Sequence, residues 1–372
     1  MSKKCRLLVI FLFAVIFSVE CNAVDLGDLS KDIDTTPLYD SIPEYAEDLL
    51  EDKVDLESAE SFEIDSFVDL LINIVKKAMP DFFNELTSLI VLMLAVSLIN
   101  ISKKHISSTF FSDIIDFAST VIPIGVGYSL IKNTVNTVNI FIEGVNHFIN
   151  SLIPVSTLLF SMGGNVSTAV VNSSGLTVLV TITNAIIQNA VLPILEICLG
   201  LSIGGCLSKQ DGILKITSSV KKLFTTVLTA TMTVFSIFLI YKTNLSASAD
   251  SFAARTIRFA GSFVPVVGSV LGESVRSVMG GVSMIKNSVG FIGIIITVTI
   301  TLPVVLFLFG KILCMNISMG LGSLVGCDEQ TKIFEEFSSY LGFLLAVVIC
   351  ISVLLVIELS VIVMISPALG GA

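Results

Sequence analysis

The chain has 372 residues, 53% of them hydrophobic and 14% charged, with a mean hydropathy of +0.93. That is far more apolar surface than one soluble core can bury, so the composition excludes an ordinary water-soluble domain and indicates an all-α, polytopic integral membrane protein. The formal net charge of −10 is local: residues 25–69 hold sixteen acidic side chains against Lys31 and Lys53, and with no basic, aromatic-interleaved patch elsewhere nucleic acid is excluded as a partner.

Residues 1–23 have the layout of a cleavable signal peptide. Lys3, Lys4 and Arg6 precede an apolar stretch from Leu7 to Val19, and Cys21-Asn22-Ala23 forms a small-x-small cleavage site. Cleavage would leave the new N-terminus outside the cytoplasm; retention as an uncleaved anchor is the alternative. Residues 24–63 form an acidic extracytoplasmic segment with few large apolar side chains and prolines at 37 and 43. Self-repulsion and the lack of apolar area predict a largely disordered spacer, with a docking strip for an extracytoplasmic partner as the functional reading. From 64 to 80, Ile64, Phe67, Val68, Leu71, Val75 and Met79 recur at helical period, ending at Lys76-Lys77. The pattern predicts an amphipathic helix lying on the outer membrane surface and leading into the first span.

Apolar runs follow at 82–101, 114–131, 138–162, 168–189, 190–207, 223–241, 289–310, 312–326 and 338–365. Pro123, Pro154, Pro193 and Pro303 interrupt them, so some read as re-entrant or paired half-spans, giving about seven to nine membrane-embedded segments. The N-terminal membrane helices occupy 81–243 and the C-terminal ones 289–372. Lys103-Lys104-His105 after the first run is a cytoplasmic signal and agrees with an exported N-terminus.

Within 136–150, Asn136, Asn139, Glu143, Asn146, His147 and Asn150 form one polar stripe along a helix, with Val138, Ile142, Val145 and Ile149 off it. In hydrocarbon such a face must meet protein or water. It either lines an aqueous pathway or belongs to a helix at the interface. A weaker stripe, Thr177, Thr181, Asn184 and Gln188, reads as interhelical hydrogen-bond glue. Glu196 and Glu358 are isolated acids in apolar runs, with Arg255, Arg258 and Lys286 as candidate partners. Gly200-x-x-x-Gly204, Gly268-x-x-x-Gly272 and Gly322-x-x-x-Gly326 would permit close helix crossings. The five cysteines beyond the leader form no CxxC and read as packing residues. With His105 and His147 the only histidines, and no P-loop, nucleophile elbow or HExxH, neither an enzyme nor a cofactor is expected.

Residues 244–288 are neither apolar enough for a span nor polar enough for a loop. Phe252, Phe259, Phe263, Val266 and Val270 recur among Gly, Ala and Ser, with Arg255, Arg258, Arg276 and Lys286 against Asp250 and Glu273. A small-residue, charged segment at membrane depth requires cover from protein or a water-filled cavity, so it reads as amphipathic or re-entrant. Pro265 should divide it into helices near 246–262 and 267–288.

Asp250, Arg255-Thr256, Phe263 through Gly268, Val278-Met279-Gly280, Lys286-Asn287 and Val289-Gly290 together resemble the stage III sporulation protein AE family of endospore-forming bacteria. The resemblance extends from about residue 80 to the C-terminus in the order of its apolar runs. It implies a multi-pass subunit in the mother-cell membrane around the forespore. There, together with the other stage III sporulation A-operon proteins and stage II sporulation protein Q across the intermembrane space, it would form a channel or feeding tube supporting late, sigma-G-dependent forespore transcription. Under that reading Asp250, Arg255, Arg258, Pro265, Gly268, Lys286 and Asn287 are conduit-lining or partner-binding residues, membrane lipid is a further partner, and self-association is compatible. From the residues alone a second class competes, a secondary transporter with its site at Gly/Pro-broken helices.

Overall fold

The computed structural model describes residues 36–47, 64–103, 109–162, 164–182, 191–208, 215–226 and 268–364, with scattered single positions between 187 and 241. These are helical throughout: α1 (Thr36–Tyr39), α2 (Glu44–Glu47), α3 (Ile64–Lys103), α4 (Thr109–Met162), α5 (Val166–Ile182), α6 (Leu192–Ser208), a helical segment at 215–226, α7 (Gly268–Leu324) and α8 (Asp328–Met364). Among them, four stretches are long and apolar enough to cross a membrane: Leu71–Lys103, Phe110–Met162, Ile292–Leu324 and Asp328–Ser360, with Leu192–Ser208 a shorter apolar helix. The all-α membrane architecture expected from composition is present.

Several expected breaks are absent. The surface helix at 64–80 and the first span form one helix, with Pro80 in its interior. Runs 114–131 and 138–162 merge into α4 despite Pro123 and Pro154, and runs 289–310 and 312–326 merge into α7 despite Pro303. The small-residue segment from Gly268 also continues into α7 without ending at 288. A proline removes one helical hydrogen bond, a loss that surrounding helices and hydroxyl side chains can offset in an apolar setting. The carbonyls left without their helical donor are those of Ser119, Asn150 and Thr299, four residues before each proline. At 1.5 Å per residue, the 54 residues of α4 and the 57 of α7 measure about 80 and 85 Å, well beyond the roughly 40–45 Å of a whole bilayer.

Contact pairs fix the helix directions. Lys103 meets Asp116, so α3 and α4 form an antiparallel hairpin. Thr301 meets Ser352 and Asn316 meets Ser338, so α7 and α8 form a second one. Lys311 meets Glu85 while Val325 meets Ser97, so α3 and α7 run in the same direction. Gln330 meets Ser119 and the Phe337 ring covers Gly127, so α4 and α8 do too. Two hairpins thus stand side by side, their turns at the same end, although no repeat is visible in the residues. The α7–α8 pair is the most extensive and forms the centre of the core, with Ile295, Ile296, Leu308, Phe334, Leu344, Val348 and Leu355 buried.

Turns are set by left-handed glycines. After α7, Gly326 has φ 76°, Cys327 N–H donates to the Gly322 carbonyl at 2.8 Å, and Gly326 N–H to Ser323. After α4, Gly164 has φ 76°, Asn165 N–H donates to Phe160 and Gly164 N–H to Ser161. Both are Schellman closures that satisfy the last carbonyls of the helix. Gly322 does lie against Met93 and Thr331, as a close crossing requires, but Gly200 and Gly204 face open space. The described cysteines are free thiols, buried or half-buried.

The acidic segment expected to be disordered contains a docked stretch at 36–47. Leu38 and Ala46 are fully buried, Pro43 rests on Gly144 of α4, and the Tyr45 hydroxyl donates to the Ile300 carbonyl at 2.8 Å. Ile300 lies in the turn preceding Pro303, where the helical ladder is already interrupted, so an outside donor meets a weakened acceptor. Burial raises the Tyr45 phenol above its ordinary range, which keeps it a donor.

Candidate functional site

The polar stripe on α4 is present as a geometric feature. Val138, Ile142, Val145 and Ile149 are fully buried against the core. The residues between them turn away from it: Glu143, His147 and Asn150 are exposed, and Asn139 and Asn146 half-buried. The 3.6-residue period accounts for both faces, since apolar positions recur at i, i+4, i+7 and i+11 and force the intervening amides and acid outward.

Part of this stripe faces α6. Asn136, Asn139 and Glu143, with Val135 and Ile140, meet Leu192, Pro193 and Glu196 around an open groove of about 420 Å³. Pro193 lies in the first turn of α6, where a missing N–H costs nothing. One turn on, Glu196 is exposed towards the groove. Two carboxylates and two carboxamides therefore share one concavity, and among the described residues no basic side chain lines it. Asn146, His147 and Asn150 continue the same α4 face beyond the groove lining. Such a surface can hold water, and it favours cations and hydrogen-bond donors over anions.

The second stripe differs from expectation. Thr177 and Thr181 are exposed and donate to carbonyls of their own helix, Ser173 and Thr177. Among the described residues they bridge no helices; Asn184 and Gln188 lie outside the described side chains. The hydrogen bond joining α4 to α5 comes instead from buried Asn172, whose Nδ2 donates to Ser156 Oγ at 3.1 Å.

Two buried ion pairs escaped the reading of the residues. Lys311 Nζ lies 2.7 Å from Glu85 Oε2 and 4.7 Å from the Phe307 ring centroid. Lys221 Nζ lies 2.9 Å from Glu336 Oε2, which also accepts from Ser202 Oγ at 2.8 Å. Lys311 carries a signal, a lone cation between the apolar runs 289–310 and 312–326. A partner 226 residues away leaves no local mark. Of the isolated acids, Glu196 reaches the groove. Glu358 is 1% exposed, and neither carboxylate oxygen has a hydrogen-bond partner among the described residues.

Asp250, Arg255, Arg258 and Pro265 lie outside the described residues. Gly268 opens α7, and Lys286 and Asn287 fall on it with side chains outside the description. The residues on which the resemblance was most specific are therefore not brought to the groove or kept from it.

Comparison with known proteins agrees with the order of these helices. A family model for stage III sporulation protein AE matches residues 46–366. The stage III sporulation protein AE of Bacillus subtilis (strain 168) is 28% identical over 169 residues, 43% of this chain and 40% of that protein. The match thus spans less than half the length of this curated relative. No solved structure matches. Because the family match runs from α2 to the end of α8 and takes in both hairpins and the groove, the chain belongs to the stage III sporulation protein AE family.

Proposed function

We propose that this protein is a membrane subunit of a sporulation channel complex, or feeding tube, linking mother cell and forespore and needed for late forespore development and sigma-G-dependent transcription. Family membership over residues 46–366 is the observation that carries this reading. Its partners would be the other stage III sporulation A-operon proteins and, across the intermembrane space, stage II sporulation protein Q. Its contribution is structural and non-catalytic.

The polar groove supports a conduit role. In a chain of this hydropathy, amides and acids on the outward face of a long apolar helix need water or a polar partner. We assign Asn136, Asn139, Glu143 and Glu196 to a water-exposed wall, completed by neighbouring subunits. We further propose a cleaved leader and an exported N-terminus in the mother-cell membrane. The docked stretch at 36–47 supports that orientation: it contacts Gly144, 28 residues from the Asp116 end of α4, hence about 42 Å along the helix from the Lys103 turn. With two pairs of apolar runs merged, we propose seven membrane-embedded segments.

A second reading, a secondary transporter, draws support from the two hairpins standing side by side in one direction, since parallel repeats occur in some transporter folds. Affinity purification and crosslinking from sporulating cells separates the two. The channel reading expects co-purification with the operon proteins and loss of sigma-G activity on deletion. A lone protein whose deletion leaves spores normal, or solute transport by the purified chain alone, would overturn it.

A further inference from the structure

We propose that a groove between α3 and α7 is a specific site for a zwitterionic, ammonium-headed lipid of the phosphatidylethanolamine class, its ammonium held by the Asp81 and Glu85 carboxylates and an acyl chain filling the groove. The groove is distinct from the polar one: Met79, Phe82, Leu306, Phe307 and Leu313 line most of an apolar hollow of about 220 Å³. Met79 and Leu313 are exposed there, so the hollow opens to the outside of the chain. Both helices are long and apolar enough to cross a membrane, so the medium at that opening is lipid.

Charge selects the head group. Asp81 and Glu85, one helical turn apart, both line the hollow, against Lys311 alone. Lys311 is paired with one oxygen of Glu85, Oε2, while Oε1 is buried with no hydrogen-bond partner among the described residues. A buried carboxylate oxygen without a donor is costly, and a charge-assisted bond to it is among the stronger polar contacts. The lining therefore carries an excess negative charge, with Asp81 its exposed carboxylate, which fits an ammonium and disfavours an anionic head. Depth agrees as well: Asp81 and Glu85 stand at the start of the apolar run 82–101, directly after Lys76, Lys77 and Pro80, where a head group meets the acyl region. An acyl chain suits the walls because a methylene buried there gains about 0.8 kcal/mol, as it does in any apolar pocket, and the aromatic walls of Phe82 and Phe307 are rigid.

The test uses the full chain in mixed nanodiscs and counts retained lipid by native mass spectrometry. Phosphatidylethanolamine should be retained over phosphatidylglycerol of the same acyl chains by about tenfold, the scale of one charge-assisted hydrogen bond. Equal retention, or preference for phosphatidylglycerol, overturns the proposal without recourse to any variant. Replacing all three charges together, Asp81→Asn with Glu85→Gln and Lys311→Gln, avoids stranding a single buried charge, leaves the lining neutral and should bring the ratio near one. Ala78→Phe, which fills the hollow, should lower retention of both lipids. A preference that survives both changes places the lipid elsewhere and sinks the assignment, as does retention of a co-purifying peptide in place of lipid.

Discussion

Lys221 and Glu336 show at single-residue scale how this chain handles charge in an apolar setting. The lysine is 6% and the acid 17% exposed, and Ser202 adds a donor. Breaking such a pair leaves the other charge buried, so Lys221→Met should cost about 3–5 kcal/mol, read as a lowered unfolding midpoint in detergent. Lys221→Met with Glu336→Leu should recover most of that loss; a double variant as unstable as the single one would contradict the pairing. Glu358 is the opposite case, a carboxylate with no described partner. Glu358→Leu should stabilise the fold by about 1–3 kcal/mol, because an unsatisfied buried group is replaced by a packed one. A fall in midpoint would reveal a partner among residues outside the description. Gly326→Ala should cost about 1 kcal/mol or more through its positive φ, whereas Gly342→Ala, facing open space, should cost little.

Elements bring these residues together, and the docked 36–47 stretch is the one most easily tested. A Cβ added at Gly144 would run into the Pro43 ring, so Gly144→Leu must displace the stretch. The expected outcome is faster protease cleavage within 36–47 with the rest of the chain intact; unchanged cleavage would mean that the contact does not hold it. This docking is illegible because fourteen acids dominate the pattern of 24–63, while its anchors are only Leu38, Pro43, Tyr45 and Ala46. By contrast, the apolar/polar alternation along α4 was legible because a 3.6-residue period is written locally. Helix lengths were not. Pro123, Pro154, Pro303 and Lys311 look like stops in one dimension, yet α4 and α7 run through all four, whether buried as Pro123 and Lys311 or exposed as Pro154. Groove partners such as Glu196 could be recognised as unusual but not matched, since the residues do not say which helix faces which.

For the whole molecule, the account joins three features: parallel hairpins at the core, a polar groove between α4 and α6, and an acidic N-terminal stretch at the end away from the Lys103 turn. Family membership places the chain in sporulation, and the groove is what supports the proposed conduit role. Its central claim is that the groove is wet in the assembled membrane. Single cysteines at Asn139, Glu143 and Glu196, in a chain otherwise free of cysteine, should react in sporulating cells with a small, water-soluble, positively charged thiol reagent, and faster than with its anionic counterpart. Cysteine at buried Val138 or Ile142 should stay unreacted. Silence at all three groove positions, with the protein shown to be present and assembled, would contradict the account directly.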